Sequence, residues 1–366
     1  MNEPKKIGID CWFACYKQPR GIGKVTQDFL EALSNTETNH YFFLFVPFEN
    51  DFIQNIAQNP KFIVVKTSEN YLIHEQLCIP WISYKERISI IHSLANTTPL
   101  FLMHQCERLI NIHDTIFLDQ SLGHQISHFK LGDLYRRINI LITKHLKRTR
   151  IFTPSDYTQN KVRQHKICDN VFTIYNGFNL EKYSKTRITP PSQEKFILSF
   201  GALDQRKNTL RLINCFIKSG LNNHGIRLRI VGLQSIEEFC RVNKLNLHEV
   251  TEAGVTLSEW VSEDTLTLLY QQCLAFIYIS LNEGFGLPII EAELNGARVI
   301  TSNTTSCAEI GSPYVSRVNP TDDLEITQTL ISLLNNQTNK LASDKQWVRK
   351  FGWQTLIKKY IQHYET

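Results

Sequence analysis

The stretch Ile277-Tyr278-Ile279-Ser280-Leu281-Asn282-Glu283-Gly284-Phe285-Gly286-Leu287-Pro288-Ile289-Ile290-Glu291-Ala292 decides how this chain is read. An apolar, strand-like run passes through a glycine turn to a proline and a helical run, and two carboxylates flank the turn. Proline suits the first helical turn, because its missing N–H would be unpaired there anyway. The expected geometry is strand, tight loop, helix, with Glu291 in the first helical turn. Glycines at 284 and 286 let the backbone approach a ligand closely, and the new helix aims unpaired amides and its positive dipole end at that ligand. Such a place receives phosphates or sugar hydroxyls. An ordinary helix entry with two solvated carboxylates produces the same local text, so the rest of the chain has to supply the context.

Working outward, Phe196–Gly201 reads as a strand, and Ala202-Leu203-Asp204-Gln205-Arg206-Lys207-Asn208 as a loop entering a helix. Its adjacent cations are suited to neutralising a diphosphate. Near the start, Ile7-Gly8-Ile9-Asp10 is strand-like, and Arg20-Gly21-Ile22-Gly23-Lys24 precedes a helical run from Val25 to Leu33. A glycine loop between a first strand and a first helix is a place for a phosphate. Leu109-Ile110-Asn111-Ile112-His113-Asp114 ends a strand-like run in a His-Asp pair, and the C-terminal edge of strands is where open α/β sheets keep their ligand sites.

Together these segments resemble the retaining glycosyltransferases of family 4, in particular the bacterial mannosyltransferase-like subgroup that assembles surface polysaccharides. The quoted stretch is similar to that family's EGFGLPxxEA text, Gly21-Ile22-Gly23-Lys24 to its Gly-Ile-Gly-Arg loop, His113-Asp114 to its "vHD" element and Gly201 through Asn208 to its G-x-x-x-x-RKN text. Smaller matches run through Phe152–Thr158, Ile174–Phe178, Leu266–Phe276 and Phe351-Gly352-Trp353, so the resemblance spans nearly the whole chain. It implies a GT-B fold, two Rossmann-like α/β domains whose parallel sheets face across a cleft.

The resemblance also implies roles. Glu283 and the amides of Gly284, Phe285, Gly286 and Leu287 face the donor sugar, and Glu291 holds the ribose hydroxyls. Arg206 and Lys207, after Gly201, stabilise the leaving diphosphate together with amides near Gly21, Ile22 and Gly23. His113, followed by Asp114, lies beside the transferred sugar. Some members carry Arg directly after the first glycine, where this chain has Ala202, leaving Arg206 and Lys207 as the cations on that side. No metal and no cofactor is expected, since Arg and Lys take the metal's place and the nucleotide sugar is itself a substrate.

Length and composition agree. With 366 residues, 42% of them hydrophobic, the chain is long enough for two core-bearing domains. Apolar strand-like runs alternate with amphipathic segments in both halves, which argues for parallel sheets covered by helices. The polar, proline-bearing segment 179–195 reads as a linker. It divides an acceptor-binding domain, 1–178, from a nucleotide-sugar-binding domain, 196–345, with 346–366 a helix packing back toward the first domain. The 9 cysteines are scattered without a second pair at metal-ligand spacing, and reduced thiols in a cytoplasmic protein are the simple reading. His124 and His128 stand one helical turn apart but lack a third ligand, so no metal is expected there.

A net charge of +5 is too mild to imply nucleic acid. Its distribution says more. Between Phe129 and Arg150, basic residues including Arg136, Arg137, Lys147 and Arg148 interleave with leucines and isoleucines. This is the pattern of a helix lying on an anionic membrane, and equally of a core helix with a solvated basic face. The start lacks a signal-peptide pattern and no stretch reads as a membrane span. The expected enzyme is therefore a cytoplasmic hexosyltransferase, peripheral on the inner face of the cytoplasmic membrane, acting on a glycan or lipid-linked saccharide. Mannose from GDP-mannose leads as donor, with UDP- or dTDP-sugars as alternatives. A nucleotide-sugar 2-epimerase and a non-catalytic glycan-binding scaffold are the rival readings.

Overall fold

The computed structural model of the chain describes residues 3–16, 21–118, 131–181, 194–335 and 345–366. Most of the expected linker, together with His124, His128, Phe129 and Arg20, lies outside the described residues. The chain divides into two compact units. Met1–Leu180 and Arg349–Thr366 form the first, Glu181–Val348 the second.

The first unit holds a seven-stranded sheet of β1 (Lys6–Asp10), β2 (Tyr41–Val46), β3 (Phe62–Lys66), β4 (Ile90–Ser93), β5 (Glu107–Asn111), β6 (Thr149–Thr153) and β7 (Val171–Thr173). All pairs are parallel, in the order β3-β2-β1-β4-β5-β6-β7. The strands are apolar on both faces, as Tyr41-Phe42-Phe43-Leu44-Phe45-Val46 illustrates, because parallel sheets are covered by helices on each side. The last helix, Trp353–Glu365, belongs to this unit. Tyr364 Oη lies 2.6 Å from His92 Nδ1, Asn111 Nδ2 donates to Tyr360 Oη at 3.1 Å, and the Trp353 ring packs against Phe29. A Cβ on Gly177 would come within 2.3 Å of the Trp353 ring, so glycine is what lets this helix seat.

The second unit holds six parallel strands, β8 (Lys195–Phe200), β9 (Ile226–Leu233), β10 (Val255–Glu259), β11 (Ala275–Tyr278), β12 (Val299–Ser302) and β13 (Ser316–Val318). Their order is β10-β9-β8-β11-β12-β13. In each sheet the strand order reverses once, between β1 and β4 and between β8 and β11. Open α/β sheets bind ligands beyond the carboxyl ends of their strands at such a reversal.

The amphipathic segment departs from expectation. Among the described residues its helix runs over Leu131–Thr143, and Lys147 and Arg148 lie in the turn before β6. The side facing the unit is largely polar: Asn139 and Thr143 are buried with Ile140, and the Asn139 side chain bonds both the N–H and the carbonyl of Thr98. Leu131, Leu134, Ile138, Leu141 and Ile142 are exposed. Arg136 pairs with Asp133, three residues earlier.

Candidate functional site

In the second unit, the reversal between β8 and β11 brings together the two loops singled out in the sequence. The first leaves β8 at Gly201. A Cβ there would stand 2.5 Å from Ile230 and 2.9 Å from Leu233, so the loop starts flush against β9. Asp204 caps the short helical turn Gln205–Lys207, accepting from the Arg206 N–H at 3.0 Å. Asn208 follows at φ 59°, a left-handed conformation that asparagine tolerates better than most residues. Its amide donates to the carbonyls of Ile279 (3.1 Å) and Pro320 (2.7 Å), after which the helix Thr209–Ser219 begins.

The second loop leaves β11 after Tyr278. Its Leu281 N–H donates to the Arg206 carbonyl at 2.7 Å. Ser280 Oγ lies 2.8 Å from the same carbonyl and 2.7 Å from Glu283 Oε1, so its single proton is shared between them. Gly286, at φ 107°, ends the loop and the helix Leu287–Leu294 starts. Only glycine fits there without strain, since a side chain at that φ is disfavoured and a Cβ would touch Ile289 at 3.0 Å. Glu291 is the fifth residue of this helix, in its second turn. The expected place in the first turn is thereby corrected, because Leu287 and Pro288 open the helix and no acidic residue lies in its first turn.

The charges at this junction are paired. Lys207 Nζ donates to Glu283 Oε1 and to Tyr278 Oη, both at 2.6 Å, and Tyr278 Oη donates to Glu283 Oε1 at 2.8 Å. Burial pushes the Glu283 carboxyl upward, but Lys207 together with the Ser280 and Tyr278 hydroxyls holds it below the ordinary carboxylate value. Lys207 keeps a third N–H beyond these two bonds. Glu283 Oε2 accepts no bond among the described residues. The Arg206 guanidinium is held by Asp204, its Nε 2.8 and 3.0 Å from the two carboxylate oxygens and its terminal nitrogen bonded as well. The two cations expected to stand together thus occupy different settings, Lys207 on Glu283 and Arg206 on its own loop.

In the first unit, Gly21 (φ 50°) precedes the helix Ile22–Ser34, whose first turn carries no side-chain cap and a buried Gly23. Among the described residues no neighbour stands within 4 Å of a Cβ built on Gly21. His113 and Asp114 follow the end of β5. The His113 ring is buried, with Nε2 2.8 Å from the Leu94 carbonyl and its backbone N–H on Asn96 Oδ1 at 2.7 Å. A carbonyl only accepts, so Nε2 carries the proton and Nδ1 is left as an acceptor. Burial lowers the His113 pKa, which keeps the ring neutral. Asp114 is half-buried and accepts from the Ile116 N–H at 3.1 Å.

Sequence reasoning missed Asp204, Tyr278, Ser280 and Asn208. Asp204 carries a legible signal, an aspartate just ahead of a helical turn. Tyr278 and Ser280 carry none, because strand periodicity does not say which residue turns its hydroxyl toward a carboxylate in the loop that follows.

The chain is 29% identical over 147 residues to the serotype-specific mannosyltransferase WbdA of Escherichia coli, covering 39% of this chain but 18% of that protein. It is 25% identical over 204 residues to the GDP-mannose:cellobiosyl-diphosphopolyprenol alpha-mannosyltransferase of Xanthomonas oryzae pv. oryzae (strain PXO99A), covering 52% of this chain and 51% of that protein. The chain therefore spans less than a fifth of the first relative and about half of the second. The sucrose-phosphate synthase of Thermosynechococcus elongatus superposes with a TM-score of 0.73 at 16% identity, over 98% of each chain, which identifies the fold as GT-B. Residues 182–350 match the family described as glycosyl transferases group 1, and the second unit of this chain is a glycosyl transferases group 1 domain.

Proposed function

We propose that this protein is a retaining hexosyltransferase of family 4, carrying a sugar from a nucleotide-sugar donor to a glycan or lipid-linked saccharide in surface polysaccharide assembly. Mannose from GDP-mannose is the leading donor, since both relatives are named as mannosyltransferases and one names that donor. The observation that carries the reading is the junction of the two loops at the β8/β11 reversal. There Lys207 donates to Glu283 Oε1, and the pair keeps one N–H of Lys207 and Oε2 of Glu283 beyond these bonds.

In this reading Lys207, with Arg206 behind it, stabilises negative charge that develops on the departing diphosphate. Glu283, held ionised, accepts hydroxyls of the transferred sugar through Oε2, and Glu291 accepts the ribose hydroxyls. The amides of Gly284 to Leu287 line the same helix entrance. A diphosphate oxygen takes the acceptor's proton, so neither a protein nucleophile nor a metal is needed. Within the first unit, neutral His113 offers Nδ1 to a sugar hydroxyl beside Asp114, and Gly21 to Gly23 leave a helix N-terminus open to an anion.

The test is incubation of the protein with GDP-mannose, UDP-glucose and dTDP-rhamnose, with and without a saccharide acceptor, and with chelator present. Transfer or slow donor hydrolysis with the anomeric configuration kept is the expected result. Epimerised donor, or no turnover of any donor, would overturn the reading.

We also infer that the first unit rests on the inner face of the cytoplasmic membrane. Among the described residues no helix is long and apolar enough to cross a membrane. The exposed stripe from Leu131 to Ile142, with Arg136, Arg137, Lys147 and Arg148 nearby, supports a helix lying on an anionic surface. Basic side chains near such a surface are worth about 1 kcal/mol each, and the attraction fades with salt. Replacing these four residues by Gln should release the protein from anionic liposomes while sparing donor hydrolysis. Equal sedimentation of the variant and the parent removes the inference.

A further inference from the structure

The loop junction accounts for the diphosphate and the sugar of a nucleotide-sugar donor, and leaves its base unplaced. On one side the way is closed. The helix Thr305–Ile310 stands against the junction, with Ser306 Oγ donating to the Glu283 carbonyl at 2.9 Å and Cys307 Sγ 3.9 Å from where a Cβ of Gly286 would be. On the other side glycine stands at the ends of β8 and β9. Gly201 follows β8, and Gly232 lies within the last two residues of β9 with φ 94°.

The β9/β10 pairing slips at this point. Leu257 pairs with Ile230, but Glu259 pairs with Leu233, so three steps on β9 match two on β10. The extra residue, on β9, makes a β-bulge, a device found beside active sites. On the other strand the residue after Glu259 is Trp260. Its indole lies over Gly232, 3.6 Å from where a Cβ would stand, and the carbonyl of Gly201 is 3.7 Å from the same point. The side chain is 51% exposed, so it is not core. A large flat aromatic half in water costs hydrophobic free energy that a stacked partner would recover.

We propose that Trp260 is the stacking platform for the nucleobase of the donor, and that it favours a purine. This rests on the glycosyltransferase reading and adds the class of nucleotide. The half-exposed indole, lying over Gly232 at the ends of β9 and β10, presents a flat apolar face on which a planar ring can stack. A bicyclic purine covers more of a bicyclic indole than a pyrimidine does, so stacking discriminates by area. Base–aromatic stacking is worth about 1–3 kcal/mol per base.

The test measures dissociation constants of GDP and UDP by calorimetry for the parent protein, Trp260→Leu and Trp260→Phe, with thermal melting of each without ligand. Trp260→Leu should weaken GDP about tenfold or more and UDP by clearly less, with Trp260→Phe between the two. If Trp260→Leu melts early, Trp260→Phe alone decides, because it keeps a ring in place. GDP binding unchanged in Trp260→Phe and Trp260→Leu, or an equal loss for both nucleotides, overturns the platform or its purine preference while the glycosyltransferase reading stands. A parent protein that binds neither nucleotide removes both.

Discussion

The two units apply one topological rule with different chemistry at the edge where it matters. In the second, the loops beyond β8 and β11 are joined by an ion pair, Lys207 with Glu283, and by hydrogen bonds through the Arg206 carbonyl and Asn208. In the first, the loops beyond β4 and β5 are joined by neutral groups, the His113 ring on the Leu94 carbonyl and its backbone on Asn96. A site lined by fixed charge is preorganised for an anionic leaving group, and one lined by a neutral imidazole for hydroxyls. On the proposed function, the second unit would handle the nucleotide and the first the acceptor.

The largest test of that contrast is Lys207→Ala. Losing one preorganised donor to a developing anion removes about 2.7–4 kcal/mol of barrier lowering, a hundred-fold or more in turnover. Because Lys207 also holds Glu283, the variant should melt earlier, and Lys207→Ala combined with Glu283→Gln should regain stability without regaining turnover. Arg206→Ala should lower turnover while leaving Glu283 paired. Near-normal turnover in both single variants would dissolve the assignment of charge chemistry to the second unit.

Acid should separate the units next. Burial draws the His92 pKa down to about 4 from its ordinary 6.5, and lowers that of His113 in the same direction. A histidine kept neutral by folding contributes stability that is complete above its ordinary pKa and is lost as pH falls toward the folded value. His92 alone then costs the first unit about 2 kcal/mol at pH 5 relative to pH 8. The depressed carboxyl of Glu283 keeps its full contribution above the ordinary carboxylate value and loses it only as pH falls below that value. Hydrogen exchange, corrected for intrinsic rate, should show β4 and β5 loosening before β8 and β11 as pH drops from 7 to 5. The reverse order would contradict the charge assignment.

The smallest expected effect is at Glu291. Replacing a charged acceptor by a neutral one in Glu291→Gln should weaken nucleotide binding by about 1 kcal/mol. Glu283→Gln should instead affect transfer more than nucleotide affinity. An unchanged nucleotide dissociation constant in Glu291→Gln would take the ribose away from this helix.

Much of this was legible in the residues. The stretch from Ile277 to Ala292 reads as strand, glycine loop and helix, and the structure gives β11 to Tyr278 and a helix from Leu287. Alternating apolar runs were enough to indicate parallel sheets. Pairing was not legible, since spacing tells that Arg206 and Lys207 are adjacent but not that one turns to Asp204 and the other to Glu283. Helical periodicity likewise shows a stripe without showing which side packs. On Leu131–Thr143 the buried positions are Asn139, Ile140 and Thr143, because the Asn139 amide satisfies the Thr98 backbone, and Leu131, Leu134, Ile138, Leu141 and Ile142 are left outside.

The return of the helix Trp353–Glu365 to the first unit has a consequence for biogenesis. Residues 181–348 form a contiguous unit, complete in itself once it has left the ribosome, whereas the sheet made before it must wait for residues 353–365 to cover Phe29, His92 and Phe152. The unit begun before the other is therefore finished after it. During that interval a growing chain presents an unfilled aromatic face, the kind of surface on which nascent proteins call for chaperones.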